Sequence, residues 1–447
     1  TGDQAMQKTG GDEMNRAKRH RWLSICLAAL AVLSLASCGG ENSKNLVPRE
    51  EEEKRTVNLF SPMEKIYPDA ENVARTASDL TVAMAEEALG MTMVYRTYTA
   101  ENYQDKTYDE VCLDRARNNM DDLYLLNPDT ILALGAEGRL EDLSGLDSAK
   151  NLREIILTAN TVDGKLVAIP QEVVAYGLLV NMDMFRQYGL DLPETPEEFL
   201  ECCRVFQENG IGTPVGANRW WLETFVLAQA YADLYNGGNT QAEIKALNSG
   251  EARYSDYMRP GFEFLQTLID RGYIDAEKAL ASEAIEAEGP DFLAGKTPIV
   301  MAYWGAANTE TAYGKTDFNM EVIGFPSSRG QMPVMPMTGW AVCSGGEHTQ
   351  DAMKMLDAIT SDEALQLYSE TNQVISPSKN VKVECVPALK PLNDRIEEGV
   401  YVLGSNAGMN VEQWGNTCRI VRLLLGGATV DECMAAFDEL QDAALNQ

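Results

Sequence analysis

The chain is long, acidic and of ordinary hydrophobic content. Its 447 residues exceed the length at which a single hydrophobic core usually stops growing, so two lobes or domains are predicted. Hydrophobic residues make up 45% of the chain and charged residues 23%, which is typical of a globular protein. The formal net charge of −31 argues against a nucleic acid partner, because phosphate contacts require clustered Lys and Arg.

Residues 1–37 have the pattern of a secretory signal. A basic segment, residues 16–21, precedes an almost uncharged stretch, residues 22–37, that is short for a membrane span. We expect Met14 to be the initiator, with a non-native leader before it. Cys38 follows small residues, as in the bacterial lipobox, so it is predicted to carry a lipid at the mature N-terminus. The alternative is an ordinary signal peptide followed by a Cys by chance.

A polar segment separates the predicted anchor from the folded part. Residues 38–55 include an acidic run at residues 50–53, and this composition predicts a tether that lifts the protein off the membrane. The protein is then expected outside the cytoplasm, on the outer face or periplasmic side of the bacterial cell membrane. The seven cysteines after Cys38 are odd in number and scattered, which favours free buried thiols over disulfides.

Strand-like runs alternate with helical patterns along the rest of the chain. This order predicts an α/β fold with mostly parallel strands. The predicted strands are residues 57–60, 123–126, 173–180, 299–303 and 340–343. Thr195 with Glu198, and Thr429 with Glu432, have the spacing of capping boxes, which predicts that helices begin there.

Few residues of catalytic type are present. His348 is the one histidine outside the signal segment, and we interpret it as a surface residue rather than part of a Ser-His-Asp or Cys-His group. The sequence contains no Cys-x-x-Cys pair, phosphate-binding Gly-rich Lys motif or dinucleotide fingerprint. No metal and no cofactor is therefore expected. A glycosidase-like carboxylate pair stays open, because acidic residues are plentiful and none is marked as a partner of another.

Several segments, taken together and in order, resemble one family. Residues 162–170 (VDGKLVAIP), 176–185 (YGLLVNMDMF) and 189–199 (GLDLPETPEEF) resemble three consecutive blocks of the bacterial extracellular solute-binding proteins of family 1. The resemblance continues through residues 291–301, 339–342, 351–367 and 426–445, and it is greatest to the maltose-binding branch.

The resemblance implies two α/β lobes joined by a hinge, with a ligand held in the cleft between them. We expect the first lobe to comprise residues 56–170 and about 335–372, and the second about 171–334 and 373–447. The family resemblance further implies delivery of the ligand to the permease subunits of an ABC importer, without catalysis. A monomer is expected.

Tryptophans are the main candidate ligand contacts. A sugar presents an apolar C–H face and a rim of hydroxyls, so its pocket needs aromatic rings together with hydrogen-bonding side chains. Positions 220–221, Trp304 and Trp414 match the sugar-stacking positions of the maltose-binding branch, and one of Trp220 and Trp221 is expected to face the ligand. Trp340 is a further candidate on a strand of the first lobe. The alternative for each Trp is a place in the core.

Polar candidates lie after the strand at residues 123–126. Asn127 and Asp129 follow it at a position where the family has residues that bind hydroxyls, although the family's usual residues are not reproduced. Asp129 fits equally well as a cap of the helix that follows. Tyr176 is expected to border the cleft.

The sequence therefore predicts a binding protein for a carbohydrate, most naturally an oligosaccharide. Within the binding class the alternatives are a polyol, a polyamine or another small solute. A polyamine site would keep the aromatic residues but add several carboxylates. A secreted glycan-processing enzyme is the alternative from another class, and it requires a positioned pair of carboxylates.

Overall fold

The computed structural model describes most of the chain after residue 54. The described residues are 55–65, 76–99, 101–103, 106–282, 289–304, 316–335, 338–384, 387–404 and 408–446, without the side chains of residues 302–304. The predicted signal segment, Cys38 and all of the predicted tether except Arg55 lie outside them. Within these ranges, none of the helices combines the length and apolar character that crossing a bilayer demands.

The described strands form two larger sheets and two short hairpins. They are β1 (Arg55–Ser61), β2 (Met91–Thr97), β3 (Leu123–Leu126), β4 (Thr161–Val162), β5 (Lys165–Leu166), β6 (Ala175–Asn181), β7 (Val215–Gly216), β8 (Ile299–Trp304), β9 (Met320–Ile323), β10 (Phe325–Ser327), β11 (Gly330–Met332), β12 (Val334–Met335), β13 (Gly339–Val342) and β14 (Val402–Leu403). The five runs predicted as strands correspond to β1, β3, β6, β8 and β13, so these predictions are confirmed.

The described helices surround these sheets. They are α1 (Ala77–Leu89), α2 (Tyr108–Arg117), α3 (Pro128–Ala136), α4 (Glu154–Asn160), α5 (Met182–Gln187), α6 (Pro196–Glu208), α7 (Glu223–Asn236), α8 (Thr240–Ser249), α9 (Tyr254–Asp270), α10 (Ala276–Ala281), α11 (Gly289–Leu293), α12 (Thr349–Ile359), α13 (Asp362–Asn372), α14 (Lys390–Glu397), α15 (Trp414–Leu425) and α16 (Val430–Leu445). Short 3₁₀ helices cover Ser148–Asn151 and Pro387–Leu389.

The first sheet has the order β13-β3-β1-β2, and we call the part built on it the first lobe. Strand β1 runs parallel to β2 and β3, and β13 is antiparallel to β3. Alternate side chains enter different hydrophobic clusters: Val57 and Leu59 pack in one, Phe60 and Tyr124 in another. Helices α1 and α12 pack on the sheet, and α2 and α3 contact β3 and β13. The first lobe is thus a sheet covered by helices.

The second sheet has the order β14-β12-β6-β8-β7, with β9 also paired to β6, and we call the part built on it the second lobe. All three pairings of β6 are antiparallel, and β7–β8 and β12–β14 are parallel. The prediction of mostly parallel strands is therefore wrong for this sheet. The error has a physical cause: β6 is buried on both faces, and an apolar run of that kind gives no sign of strand direction.

Both predicted capping boxes are present. The Thr195 hydroxyl accepts a hydrogen bond from the backbone N–H of Glu198 at the start of α6, and Thr429 and Glu432 do the same at the start of α16. Two further boxes begin α1 and α2, at Thr76 and Thr107. The cysteines of the described ranges are free thiols, as predicted, and Cys385 lies outside those ranges.

Asp122 fixes the start of β3 to two other elements of the first lobe. Its carboxylate accepts hydrogen bonds from the Asn58 backbone N–H at 2.8 Å and from the Asn58 side-chain amide at 3.1 Å. It also accepts from the backbone N–H of His348 at 2.7 Å and lies 3.2 Å from the His348 ring Nδ1. Because the Asp122 side chain is 1% exposed, water cannot replace these bonds. His348 is thus a structural partner of Asp122.

We predict that Asp122→Ala lowers the free energy of unfolding by roughly 3 kcal/mol, because the variant leaves several buried donors without an acceptor. Urea denaturation measures this change. The matched control is Asp147→Ala, which removes a carboxylate that is 85% exposed and should change stability by less than about 0.5 kcal/mol. Equal effects of the two substitutions would contradict the prediction.

Candidate functional site

A pocket of about 500 Å³ is lined by residues of both lobes. This volume lies in the range typical of small-molecule sites, about 300–1,000 Å³. The lining residues among the described part of the chain come from six separate stretches: Asp109, Asn127, Pro128, Asp129, Val174, Tyr176, Trp221, Thr338, Trp414 and Gly415. Five of the residues predicted from the sequence, Asn127, Asp129, Tyr176, Trp221 and Trp414, are thus brought together.

The first lobe contributes hydrogen-bonding groups. Asn127 directly follows β3 and is the N-cap residue of α3 in an extended backbone conformation. Its amide donates to both carboxylate oxygens of Asp109, at 3.0 and 3.2 Å, and the Thr130 hydroxyl donates to the same carboxylate at 2.7 Å. These bonds orient Asp109, in the first turn of α2, toward the same pocket wall. Asp109 was not predicted, because an acidic residue in the first turn of a helix is common for helix stability alone.

The second lobe contributes an aromatic wall, which we define as Tyr176, Trp221 and Trp414. The ring centroid of Tyr176 lies 5.8 Å from that of Trp221, with an interplanar angle of 72°, and 5.2 Å from that of Trp414, at 44°. Trp414 lies close against the backbone at Gly404, where an added Cβ would come within 2.6 Å of the ring. The glycine therefore makes room for the Trp414 ring. Together the three rings give the pocket an apolar surface.

Asp129 and Gly415 connect the two lobes at the pocket. The backbone N–H of Gly415, in the first turn of α15, donates to Asp129 Oδ2 at 3.2 Å. Asp129 itself lies in the first turn of α3, where the sequence left open whether it caps that helix or contacts the ligand. In the structure its carboxylate lines the pocket and also accepts this bond from the first turn of a different helix.

A third carboxyl group lies near these two. Glu412 is exposed as a residue, but partial burial of its carboxyl group raises its pKa, and the negative charges of Asp129 and Asp109 raise it further. Among the described residues that line the pocket there is no Lys or Arg. This side of the pocket therefore has a negative potential and many hydrogen-bond acceptors.

Trp220 is not among the described residues that line the pocket, and its ring contacts two arginines. The guanidinium carbon of Arg219 lies 4.8 Å from the ring centroid, and that of Arg422 lies 4.5 Å from it. Of the adjacent pair, it is therefore Trp221 that lines the pocket. Glu223, three residues later in the chain, is a completely buried residue of α7. Burial raises the pKa of Glu223 to about 8, although the nearby Arg422 and Cys418 oppose that shift.

Two other predicted tryptophans, Trp340 and Trp304, have different outcomes. Trp340 is 2% exposed and packs in a hydrophobic cluster that includes residues of both sheets, and it is not among the described residues that line the pocket. All four residues of β13 are buried, and the sequence pattern did not reveal which face of that strand the indole occupies. Trp304 ends β8, where its Cα pairs with that of Ala175, and its side chain is outside the described part of the chain. Trp304 therefore stays a prediction.

The remaining lining residues gave weak signals in the sequence. Val174 and Thr338 flank strands, and Pro128 starts a helix, all of which are ordinary roles. Gly415 carries no side chain, and its position against Asp129 depends on the way the lobes meet. Such residues become visible as pocket residues only when the whole fold is known.

The fold and the two-sided pocket define a two-lobe binding protein, and comparison with known proteins identifies the family. Residues 102–366 match the family model described as bacterial extracellular solute-binding protein. The match spans more than half of the chain, so this chain belongs to the bacterial extracellular solute-binding proteins. This is a family of extracytoplasmic binding proteins rather than of enzymes.

Solved structures show the same fold at low sequence identity. A family 1 extracellular solute-binding protein from Bifidobacterium longum subsp. infantis aligns with a TM-score of 0.68 and 17% identity, over 87% of this chain and 99% of that chain. RafE from Streptococcus pneumoniae in its apo form aligns with a TM-score of 0.65 and 17% identity, over 91% and 100%. A sugar transporter of Bacillus licheniformis in complex with stachyose aligns with a TM-score of 0.64 and 17% identity, over 87% and 99%. At this identity the likeness establishes the two-lobe α/β fold.

The buried Glu223 predicts a dependence of stability on pH. Between pH about 4.5 and about 8 the folded protein keeps a proton on Glu223 that the unfolded chain loses, so the free energy of unfolding falls as the pH rises through that window. Glu223 contributes at most about 1.4 kcal/mol per pH unit to the change in the free energy of unfolding.

Glu223→Gln should therefore flatten the pH dependence of the free energy of unfolding, measured by urea denaturation at pH 5, 6, 7 and 8. The control, Glu439→Gln at an exposed position of α16, should keep the wild-type slope. A wild-type slope in Glu223→Gln would contradict the assignment.

Proposed function

We propose that this protein binds a carbohydrate, and most naturally an oligosaccharide, in the pocket between its lobes and delivers it to the permease of an ABC importer. The single observation that carries the proposal is the pairing of an aromatic wall with oriented carboxylates and an amide in one pocket of about 500 Å³. Tyr176, Trp221 and Trp414 offer faces for the C–H surface of a sugar. Asp109 and Asp129 accept hydrogen bonds from hydroxyls.

Other members of the fold support the choice of ligand class. One of the aligned structures is RafE in complex with raffinose, and another is a chitin oligosaccharide binding protein. These proteins hold oligosaccharides in the same two-lobe architecture. Delivery then follows from closure: a ligand that contacts both lobes stabilises the closed form, which the permease distinguishes from the open form.

The proposal includes a lipid anchor on Cys38. The basic segment, the apolar stretch and the small residues before Cys38 support it. Two or more acyl chains hold a protein on a membrane for long times, because each buried CH₂ group contributes about 0.8 kcal/mol. The anchored protein, as a monomer on a polar tether, then remains close to the importer.

A second candidate ligand class is a polyamine. The observation that favours it is the group of carboxyl groups at the pocket, Asp109, Asp129 and the nearby Glu412, together with aromatic rings that suit a cation. Because charge attraction weakens as salt screens it, a polyamine complex would lose affinity between low and high ionic strength. Binding of a neutral sugar would change little.

We predict saturable binding of a neutral oligosaccharide with no cleavage of it. Isothermal titration calorimetry with raffinose, stachyose, a chitin oligosaccharide, sorbitol and spermidine compares the ligand classes, and chromatography of the recovered ligand tests for turnover. For the sugar that binds, Trp414→Ala should weaken affinity about tenfold, the loss expected when one aromatic face is removed. The control Leu423→Ala removes an exposed apolar side chain from the same helix and should leave affinity unchanged.

Two results would count against the proposal. Binding of spermidine alone, with strong dependence on salt, would replace the sugar by a polyamine. Recovery of a shortened sugar would show an enzyme instead of a binding protein.

A further inference from the structure

A backbone N–H in the first turn of α15 donates a hydrogen bond to a carboxylate of the opposite lobe. The first N–H groups of any helix have no acceptor within the helix and need one from elsewhere. The N-cap residue, Gln413, makes no side-chain bond to its own helix. Its amide donates instead to the Val411 carbonyl at 2.6 Å, and its oxygen accepts from the Tyr231 hydroxyl. The backbone N–H of Gly415 donates to Asp129 Oδ2 of the first lobe, at 3.2 Å.

The residue at position 415 has to be small for this contact. A Cβ added there would lie 2.9 Å from Asp129 Oδ2, which is shorter than real Cβ contacts allow. The backbone of Gly415 is in an ordinary helical region and does not itself require glycine. A glycine inside a helix destabilises the helix relative to alanine. The approach of Asp129 gives a physical reason for this glycine.

The contact exists only when the lobes are together. Asp129 is carried by α3 of the first lobe and Gly415 by α15 of the second, and both line the pocket beside Trp414. A carboxylate at the amino end of a helix is stabilised by the helix dipole as well as by the hydrogen bond. Glu412 of the second lobe acts in the opposite direction, because the pKa of its carboxyl group is raised by burial and, in addition, by the negative charges of Asp129 and Asp109.

We propose that Asp129 is a positioning residue that closes the lobes by capping α15, and that Gly415 is free of a side chain to allow this cap. The contact biases the ligand-free protein toward the closed form. Ligand affinity then depends on it, since apparent affinity scales with the population of the binding-competent conformation. The proposal concerns the equilibrium between open and closed lobes and holds whichever solute the pocket takes.

The test uses the ligand-free full chain, so its result does not depend on the proposed function. Gly415→Ala and Asp129→Ala are compared with the wild-type protein by hydrogen–deuterium exchange and by acrylamide quenching of tryptophan fluorescence. We expect exchange in two segments, residues 413–418 and residues 126–131, to rise about five- to tenfold, the size typical of losing a charged cap. Quenching should rise with it, because Trp221 and Trp414 face the opened pocket. Asp129→Asn, which keeps the shape without the charge, should fall between wild type and Asp129→Ala.

The control is Gly145→Ala, because a Cβ at Gly145 in the first lobe meets nothing within 4 Å. It should behave as wild type in both measurements. If Gly415→Ala fails to fold, Asp129→Ala, at a half-buried surface position, decides the question alone. A rise confined to residues 413–418 with unchanged quenching would show a local cap without any role in closure, and would overturn the proposal. Exchange and quenching that equal those of the control would also overturn it.

Discussion

The pocket depends on the hydrogen bonds that hold the amino end of one helix in place. Helix α15 begins at Trp414, and its N-cap Gln413 is 1% exposed and bonded to Tyr231 of α7. This buried bond fixes where the helix starts, and therefore where the Trp414 ring lies against Gly404. The same start presents the Gly415 N–H to Asp129. An aromatic face of the pocket and a link between the lobes thus follow from the placement of one helix end.

The elements of the fold were largely readable from local sequence. Apolar runs of strand length and the Thr-x-x-Glu capping boxes depend on residues within a few positions of one another, so a single stretch contains the whole signal. Strand direction, in contrast, depends on partners that are distant along the chain. Strand β6 pairs with β8, β9 and β12, which come more than a hundred residues later, and its apolar residues suit parallel and antiparallel neighbours equally.

The candidate site was readable in part for the same reason. Trp221 and Trp414 are large residues with a chemical preference for a sugar face, so the sequence singles them out even before their contacts are known. Trp340 is the same residue type, yet it is buried in a hydrophobic cluster that includes residues of both sheets. Burial of an indole and exposure to a ligand look alike in sequence, because both are set by neighbours distant along the chain.

Asp109 shows the opposite failure. In sequence it is one acidic residue in the first turn of a helix, and helix stability explains it completely. Its second role arises because α2 starts beside the end of β3, where Asn127 and Thr130 hold its carboxylate at the pocket. The role is created by the packing of α2 against α3.

The charge of the pocket can be weighed against its hydrogen bonds. The donors described at Asp109 are an amide and a hydroxyl, and the donor described at Asp129 is a backbone N–H, so uncharged groups orient both carboxylates. Donors of this kind fix the direction of the carboxylate lone pairs, which suits the directional bonds of hydroxyls on a rigid sugar ring. Orientation of the acceptors therefore favours a sugar, while the absence of a described cationic side chain in the lining keeps an amine as the competing ligand.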